Sequence, residues 1–170
     1  SLSIAHLIGH AIAIVNLEKS HTTDNDDLCM TITFDDQFEE FVINAKEPIK
    51  IDRKYANQIA VLNVAGIVAE QLYYGRFEVG YCRELIAEIG IDAFLSTTNA
   101  GLDAQVFLSS LADGQTAESA IAYAEQLIVE FGKVGNEALR AFSEAIGHMP
   151  IGEHMEITPT GLSLLVHRFE

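Results

Sequence analysis

The chain has few basic residues: 10 Lys and Arg stand against 25 Asp and Glu, which gives a formal net charge of −15. Proteins that bind nucleic acids neutralise phosphates with Lys and Arg, so this balance argues against a nucleic-acid partner. It argues equally against docking on anionic lipid. An acidic, solvated surface is the simplest interpretation of the excess negative charge.

Long apolar runs are also missing from the sequence. No run reaches the roughly 18–20 residues that a bilayer-spanning helix needs, and the first apolar segment is interrupted at Asn16 and Glu18. The start of the chain has no basic stretch of the kind found in a signal peptide. Ser1 is not a natural first residue, so whether a segment precedes it is an open question. We therefore expect no membrane span in this chain and a cytoplasmic location.

Cysteine is scarce, and the motifs of several enzyme classes are absent. Cys29 and Cys82 lie far apart and form no CxxC. This is typical of buried free thiols in a reducing compartment, and a disulfide between the two is the alternative that the sequence leaves undecided. The sequence contains neither GxxxxGKS/T, the phosphate-binding loop of ATPases, nor GxSxG, the nucleophile elbow of hydrolases. This chain therefore carries no ATPase module.

The composition is that of a globular domain, with 170 residues of which 49% are hydrophobic and 21% charged. This length suits one domain that buries a sizeable core. Alternating β-branched and apolar residues predict two strands that form a hairpin, 28–34 and 38–45. Apolar residues at helical spacing, together with caps and stops, predict helices over 2–17, from 53 to Gly75, 81–90, from Thr116 to Gly132, 136–148 and from Thr158 onward. The segment 96–112 opens with turn and cap residues and is predicted to continue as a helix to Ala112.

These elements predict one mainly α domain over residues 1–170, of the α+β class, with a small antiparallel β element near the N-terminus. No linker of low complexity and no internal repeat divides the chain.

The first candidates for chemistry are His6 and His10, in the stretch HLIGH. Because they are four residues apart, both lie on one face of a helix and can reach one metal ion. In the HExxH motif of zinc peptidases the two imidazoles bind zinc, and the Glu accepts a proton from the water on the metal. Leu7 stands at the position of that Glu and cannot accept a proton. Such a pair, taken alone, is more often structural than metal-binding.

Three segments together resemble the peptidase M41 family, the protease domain of FtsH-type ATP-dependent zinc metalloproteases. IAHLIGHAIAIV, residues 4–15, is similar to the family's HEAGHA helix, and AGIVAEQLYYG, residues 65–75, to its aGraAEelxFG helix. TTNAGLDAQ, residues 97–105, is similar to the family's TTGAxxDLxxA segment. The three follow one another in the family's order over residues 4–112, and the helices of 113–170 correspond loosely to its C-terminal bundle.

The resemblance implies a zinc site. It makes His6 and His10 two of the zinc ligands and Asp103 the third. It also implies that Glu70 lies beside the ligands and helps to hold them. Glu70 stands on an otherwise apolar helix, where a buried carboxylate without a partner is costly, so we expect it to contact a His, an Arg or a metal.

The chain departs from the family in the spacer before its third segment, which is longer because RFEVGYCRELIAEIGIDAFLS is inserted. The longer spacer makes Asp92 a rival of Asp103 for the metal, with Glu84 and Glu88 as weaker rivals, because zinc accepts any well-placed carboxylate. Whether Glu70 could replace the missing base depends on geometry.

Three functions follow from these residues. A degenerate M41-like domain keeps the fold, hydrolyses peptides poorly or not at all because of Leu7, and binds a protein or peptide. An active stand-alone zinc peptidase uses another carboxylate as its base. A metal-free helical module packs His6 and His10 in its core. The resembling family works as a hexamer driven by an attached ATPase, so a homo-oligomer and an ATPase partner are both open for this chain.

Overall fold

The computed structural model of the chain describes residues 5, 6, 8–10, 12, 13, 16, 30–35, 40–45, 56–96, 101–131 and 154–157. This part of the chain is mainly helical, which confirms the predicted overall class. The helices are α1, with described residues between 5 and 16, α2 (Ala56–Tyr74), α3 (Tyr81–Ile89), α4 (Ile91–Ser96), α5 (Gly101–Ser109) and α6 (117–131).

Helix α2 is the centre of the core. Almost every residue from 60 to 70 is buried, as expected for a helix that is apolar on all sides. Helices α3 and α5 both contact α2. The largest fully buried side chains come from α2, α4, α5 and α6: Ile67, Leu72, Val64, Val68, Phe94, Phe107, Ile121 and Ile128.

Helix α1 packs directly against the backbone of α2. A Cβ on Gly9 would collide with the carbonyl oxygen of Ala65 and would lie 2.7 Å from the Cβ of Ala69. Only glycine therefore permits this approach. His6 contacts Glu70, whereas His10 contacts Leu62, so the two helices run antiparallel. This close packing places the histidines of α1 against the middle of α2.

The predicted helix boundaries are confirmed at three positions. Helix α2 ends at Tyr74, and the N–H of Gly75 donates to the carbonyl of Gln71 at 2.9 Å. Gly90 ends α3 with a positive φ of 85°, a conformation that glycine adopts at little cost. Thr116 caps α6, since its Oγ1 accepts the N–H of Ser119 at 3.1 Å.

The sequence was a poorer guide around α4 and the end of α5. The predicted end at residue 112 is wrong: α5 stops at Ser109. Ala112 lies in the turn beyond, where its N–H donates to the side chain of Gln115 at 3.0 Å. Helix α4 was not predicted, because its six residues are too few to show a helical period.

Three strands form one antiparallel sheet in the order β2-β1-β3, with β1 at Met30–Asp35, β2 at Glu40–Ala45 and β3 at His154–Ile157. Met30 pairs with Ala45 on one side and with Ile157 on the other. The sequence predicts strands at 28–34 and 38–45 and none at β3.

Several predicted features lie outside the described residues: Leu7, Cys29, the helix over 136–148 and the helix from Thr158 onward. Within the described residues, no helix combines the length and the apolar character that crossing a membrane requires.

Candidate metal centre

Three ligand atoms from two helices that are far apart in sequence converge beside α2. His6 Nε2 lies 2.7 Å from Asp103 Oδ2 and 3.0 Å from His10 Nε2, and His10 Nε2 lies 3.5 Å from Asp103 Oδ2. Ligand atoms at the usual distance from a tetrahedral zinc ion stand about 3.3 Å apart. The three separations are close to that value, so zinc can be accommodated with small movements of the side chains.

Each ligand is held by the helix that carries it. His6 and His10 are one turn apart on α1, whose neighbouring residues Ile8 and Ile12 are buried in the core. Asp103 lies in the first turn of α5. Phe107 follows it by one turn and is fully buried, so the ring of Phe107 anchors the face of α5 that carries Asp103.

Gly66 makes room for the histidine pair on α2. A Cβ at this position would lie 2.5 Å from His6 Nε2 and 2.6 Å from His10 Nε2. A helical side chain covers the turn before its own Cα, so glycine here also leaves the carbonyl of Leu62 accessible. Any larger residue would occupy the space that both imidazoles need.

The orientation of His10 is fixed by the backbone of α2. Its Nδ1 lies 2.8 Å from the carbonyl oxygen of Leu62. A carbonyl oxygen only accepts hydrogen bonds, so His10 Nδ1 carries the proton and donates it. In the neutral ring the lone pair is then on Nε2, which faces His6 and Asp103. This is the tautomer that a metal ligand requires.

Glu70 lies behind His6. Its Oε1 is 2.9 Å from His6 Nδ1, the arrangement in which a carboxylate holds a metal-binding imidazole. The contact is short, although its alignment is poor for a hydrogen bond. The other carboxylate oxygen, Oε2, is buried and has no hydrogen-bond partner among the described residues. Glu70 is only 5% exposed.

The two carboxylates strongly favour a positive charge on His6. Burial alone lowers the pKa of the ring, but hydrogen bonds and charge interactions with Asp103 and Glu70 outweigh it and raise the pKa of His6 to about 9. Burial likewise raises the pKa of Asp103, but its contacts with His10 and His6 reverse this and hold that pKa well below its usual range. In the absence of metal, a proton on His6 Nε2 therefore supplies the positive charge between the ligands.

One side of the centre is accessible. The side chain of Asp103 is 39% exposed, whereas those of both histidines are 16% exposed. Catalytic zinc sites have three protein ligands and keep a further position free. Two histidines and one accessible carboxylate match that pattern.

The structure brings Asp103, rather than its rivals, to the histidines. Among the described residues, His6, His10 and Asp103 offer ligand atoms within 4.8 Å of one another. Glu84 is exposed on α3 and forms an ion pair with Arg76. Two rivals remain, Glu88 and Asp92, and both are exposed and stand outside this group.

Glu70 is not placed to replace the missing base. It contacts Nδ1 of His6, whereas the ligand atom of that ring is Nε2, on the side of Asp103. A base must be within hydrogen-bonding reach of the proton that it accepts. Behind the ring, Glu70 can hold His6 but does not face the accessible side of the centre.

A buried carboxylate on α6 was missed by the sequence reasoning. Glu125 is 3% exposed, and its two oxygens accept the N–H groups of Gly80, at 2.6 Å, and Cys82, at 2.7 Å. It therefore caps the start of α3 from another helix. Its only signal in the sequence is a charged residue between apolar residues at helical spacing.

Cys82 is buried and free, as predicted. Burial and the neighbouring carboxylate of Glu125 both raise the pKa of its thiol. A neutral, buried thiol is a poor nucleophile.

Searches for relatives of this chain find no matching family model, no matching curated protein and no matching solved structure.

Proposed function

We infer that this domain is a degenerate zinc metallopeptidase of the M41 type, which binds zinc but hydrolyses peptides poorly or not at all. Its remaining role is to bind a protein or peptide. The single observation that carries this proposal is the convergence of His6 Nε2, His10 Nε2 and Asp103 Oδ2 within 3.5 Å of one another.

Two further observations support a metal rather than chance packing. In its neutral form His10 is held in the tautomer with the lone pair on Nε2, because its Nδ1 donates to Leu62 O. Gly66 leaves a space against both Nε2 atoms that any side chain would fill. A separate observation supports the M41 type: the helices occur in the order of the resembling family, with the histidine pair first, then Glu70, then Asp103.

The residues of this chain would have separate roles in such a centre. His6, His10 and Asp103 would hold the ion, and Glu70 would fix the ring of His6 through its Nδ1. Zinc, when bound, acts as a Lewis acid toward a carbonyl and makes water a stronger nucleophile. In the HExxH motif the Glu accepts a proton from that water. Leu7 stands at its position here, and an alkyl side chain cannot accept a proton.

A metal-free helical module is the second candidate, and one observation favours it. His6 pairs with Asp103 at 2.7 Å and with Glu70 at 2.9 Å. A protonated His6 thus forms an ion pair with each carboxylate without a metal ion. In that case the cluster is a partly buried charge network that holds α1, α2 and α5 together.

Zinc uptake separates the two candidates. We expect the protein, purified without chelators and dialysed against zinc, to retain one ion per chain by elemental analysis. His6→Ala and Asp103→Asn should lose it, since each removes a ligand. Asp92→Asn is the matched control, because Asp92 is an exposed carboxylate outside the centre. If the wild-type protein takes up no zinc, the zinc proposal is wrong and the metal-free helical module is the remaining candidate.

Peptidase activity tests the role assigned to Leu7. We expect the wild-type protein with zinc to show no cleavage of an unfolded substrate such as casein above that of Asp103→Asn. Leu7→Glu should raise the rate by roughly 10²–10⁴-fold if only the base is missing. Leu7→Gln, of similar size but unable to accept the proton, is the control. Clear hydrolysis by the wild-type protein would contradict the proposal and favour an active peptidase with another base.

A further inference from the structure

A group of large apolar side chains is exposed where α2 ends and the chain turns toward α3. Tyr73, Tyr74, Phe77 and Val79, which we call the Tyr73–Val79 patch, are 43%, 62%, 38% and 58% exposed. The rings of Tyr73 and Phe77 contact edge to face, with centroids 5.4 Å apart. Single exposed apolar residues are ordinary, but four within seven residues of one turn, two of them in ring contact, are typical of an interaction site. Aromatic residues are also enriched at the centres of protein interfaces.

The turn that carries this patch is held rigidly at both ends. At its start, the N–H of Gly75 donates to Gln71 O at 2.9 Å, and Gly75 packs against the ring of Tyr81. At its end, buried Glu125 accepts the N–H groups of Gly80 and Cys82. Because the side chains are displayed on an ordered turn, a partner bound there would pay little for ordering this surface.

The charges around the patch indicate the chemistry of that partner. Arg76 lies within the turn but pairs with Glu78, at 3.2 Å, and with Glu84. One positive and two negative charges leave this group with a net charge of −1. The whole chain carries −15, so a second copy would be repelled. A partner that complements this surface is basic and also presents apolar side chains.

We propose that the Tyr73–Val79 patch binds a basic polypeptide segment that carries apolar side chains. Tyr73 and Tyr74 follow Glu70 by one turn of α2, about 5 Å along the helix axis. Gly66, which borders both imidazoles, precedes the patch by about two turns, so a bound segment lies roughly 11 Å along the helix axis from the metal centre. Recognition by the patch does not need the ion, so the inference stands whether or not zinc is bound.

The test uses a fluorescein-labelled synthetic peptide that repeats Lys-Leu-Lys-Phe, with binding measured by fluorescence anisotropy in the presence of a chelator. We expect the double variant Tyr74→Ser/Val79→Ser to weaken binding by about tenfold or more, since a few side chains that become buried in the complex contribute most of the binding energy. The matched control is Ile89→Ser/Leu108→Ser, which removes two similarly exposed apolar side chains elsewhere. The control should bind like the wild type, and a Glu-Leu-Glu-Phe peptide should not bind.

Charge alone cannot mimic this result, because neither double variant changes the charge of the protein. Equal binding by the wild type and the Tyr74→Ser/Val79→Ser variant would overturn the proposal, as would equal binding of the acidic peptide. Sedimentation that shows wild-type dimers, lost in the same variant, would assign the patch to a second copy instead. Thermal unfolding verifies that the variants fold, and single Tyr74→Ser and Val79→Ser variants replace the double variant if it does not.

Discussion

At the scale of single residues, the candidate centre depends on four side chains and on a glycine, which has none. His6, His10 and Asp103 supply the ligand atoms, and Glu70 holds His6 from behind. Gly66 contributes by having no Cβ where both imidazoles approach α2. Each of these residues has a separate physical task, so substitutions at them should have distinguishable effects.

Gly66→Ala tests the space beside the imidazoles. The added Cβ would lie 2.5 Å and 2.6 Å from the two Nε2 atoms, so both rings must move away from the metal position. We expect zinc affinity to fall by about 10–100-fold or more, as when the surroundings of metal ligands are altered. Competition with a chromophoric chelator measures the affinity. Asn57→Ala, at an exposed position of α2, is the control, and unchanged affinity in Gly66→Ala would contradict the assignment.

The raised pKa of His6 predicts that protons and zinc compete. In the metal-free protein the pKa of His6 is about 9, above its ordinary value of 6.5, so the folded protein holds this proton at pH 7. Zinc needs the lone pair on Nε2, and binding should release about one proton from His6 at pH 7. Zinc affinity should rise by up to about tenfold per pH unit toward pH 9.

Calorimetric titrations in two buffers of different ionisation enthalpy measure this proton release. The Asp92→Asn variant should behave like the wild type, because Asp92 lies outside the centre. Zinc binding at pH 7 without proton release would show that His6 is neutral in the metal-free protein.

At the scale of secondary-structure elements, contacts between helices position what single helices carry. Helix α1 reaches its place because Gly9 lets it approach the backbone of α2. Helix α5 presents Asp103 because Phe107, one turn later, is buried. Helix α3 begins where Glu125 of α6 accepts the N–H groups of Gly80 and Cys82. In each case, one residue at a contact between helices fixes how a helix is placed.

Glu125→Ala should destabilise the protein through the start of α3. The substitution removes the acceptor of two N–H groups, the part-buried one of Gly80 and the buried one of Cys82, which we expect to cost about 2–4 kcal/mol of the free energy of unfolding. Chemical denaturation measures this loss. Glu118→Ala, at an exposed position of the same helix, should change stability little. Equal effects of the two substitutions would show that the cap contributes nothing.

At the scale of the whole molecule, the candidate centre connects parts of the chain that are distant in sequence. His6 and Asp103, which are 97 residues apart, meet beside α2. An ion bound to both joins α1 to α5 across the central helix. Because unfolding separates these ligands, the metal should bind the folded chain far more tightly than the unfolded chain.

Zinc should therefore stabilise the fold. With free zinc at about 1,000 times its Kd, binding only to the folded state adds about 4 kcal/mol. Thermal unfolding with and without zinc should show a higher midpoint with the metal for the wild type and for Asp92→Asn. Asp103→Asn should show no such rise. A midpoint that zinc raises equally in all three proteins would indicate binding elsewhere.

The sequence by itself determined the features that depend on local interactions. Helical spacing, the Thr116 cap and the Gly75 and Gly90 stops predicted most described helices, because these signals act within a few residues. The spacing of His6 and His10 placed both rings on one face, since helix geometry is regular. The excess of acidic residues likewise argues against a nucleic-acid partner, a prediction that rests on composition alone.

Only the tertiary structure decided which carboxylate meets the histidines. Asp92, Glu84 and Glu88 were rivals of Asp103 because nothing local fixes how a long spacer folds. The structure also placed Glu70 behind His6, where it cannot act as the base, and revealed the cap that Glu125 provides. Such contacts join residues 43 to 97 positions apart. They depend on how whole helices pack, which no short stretch of sequence encodes.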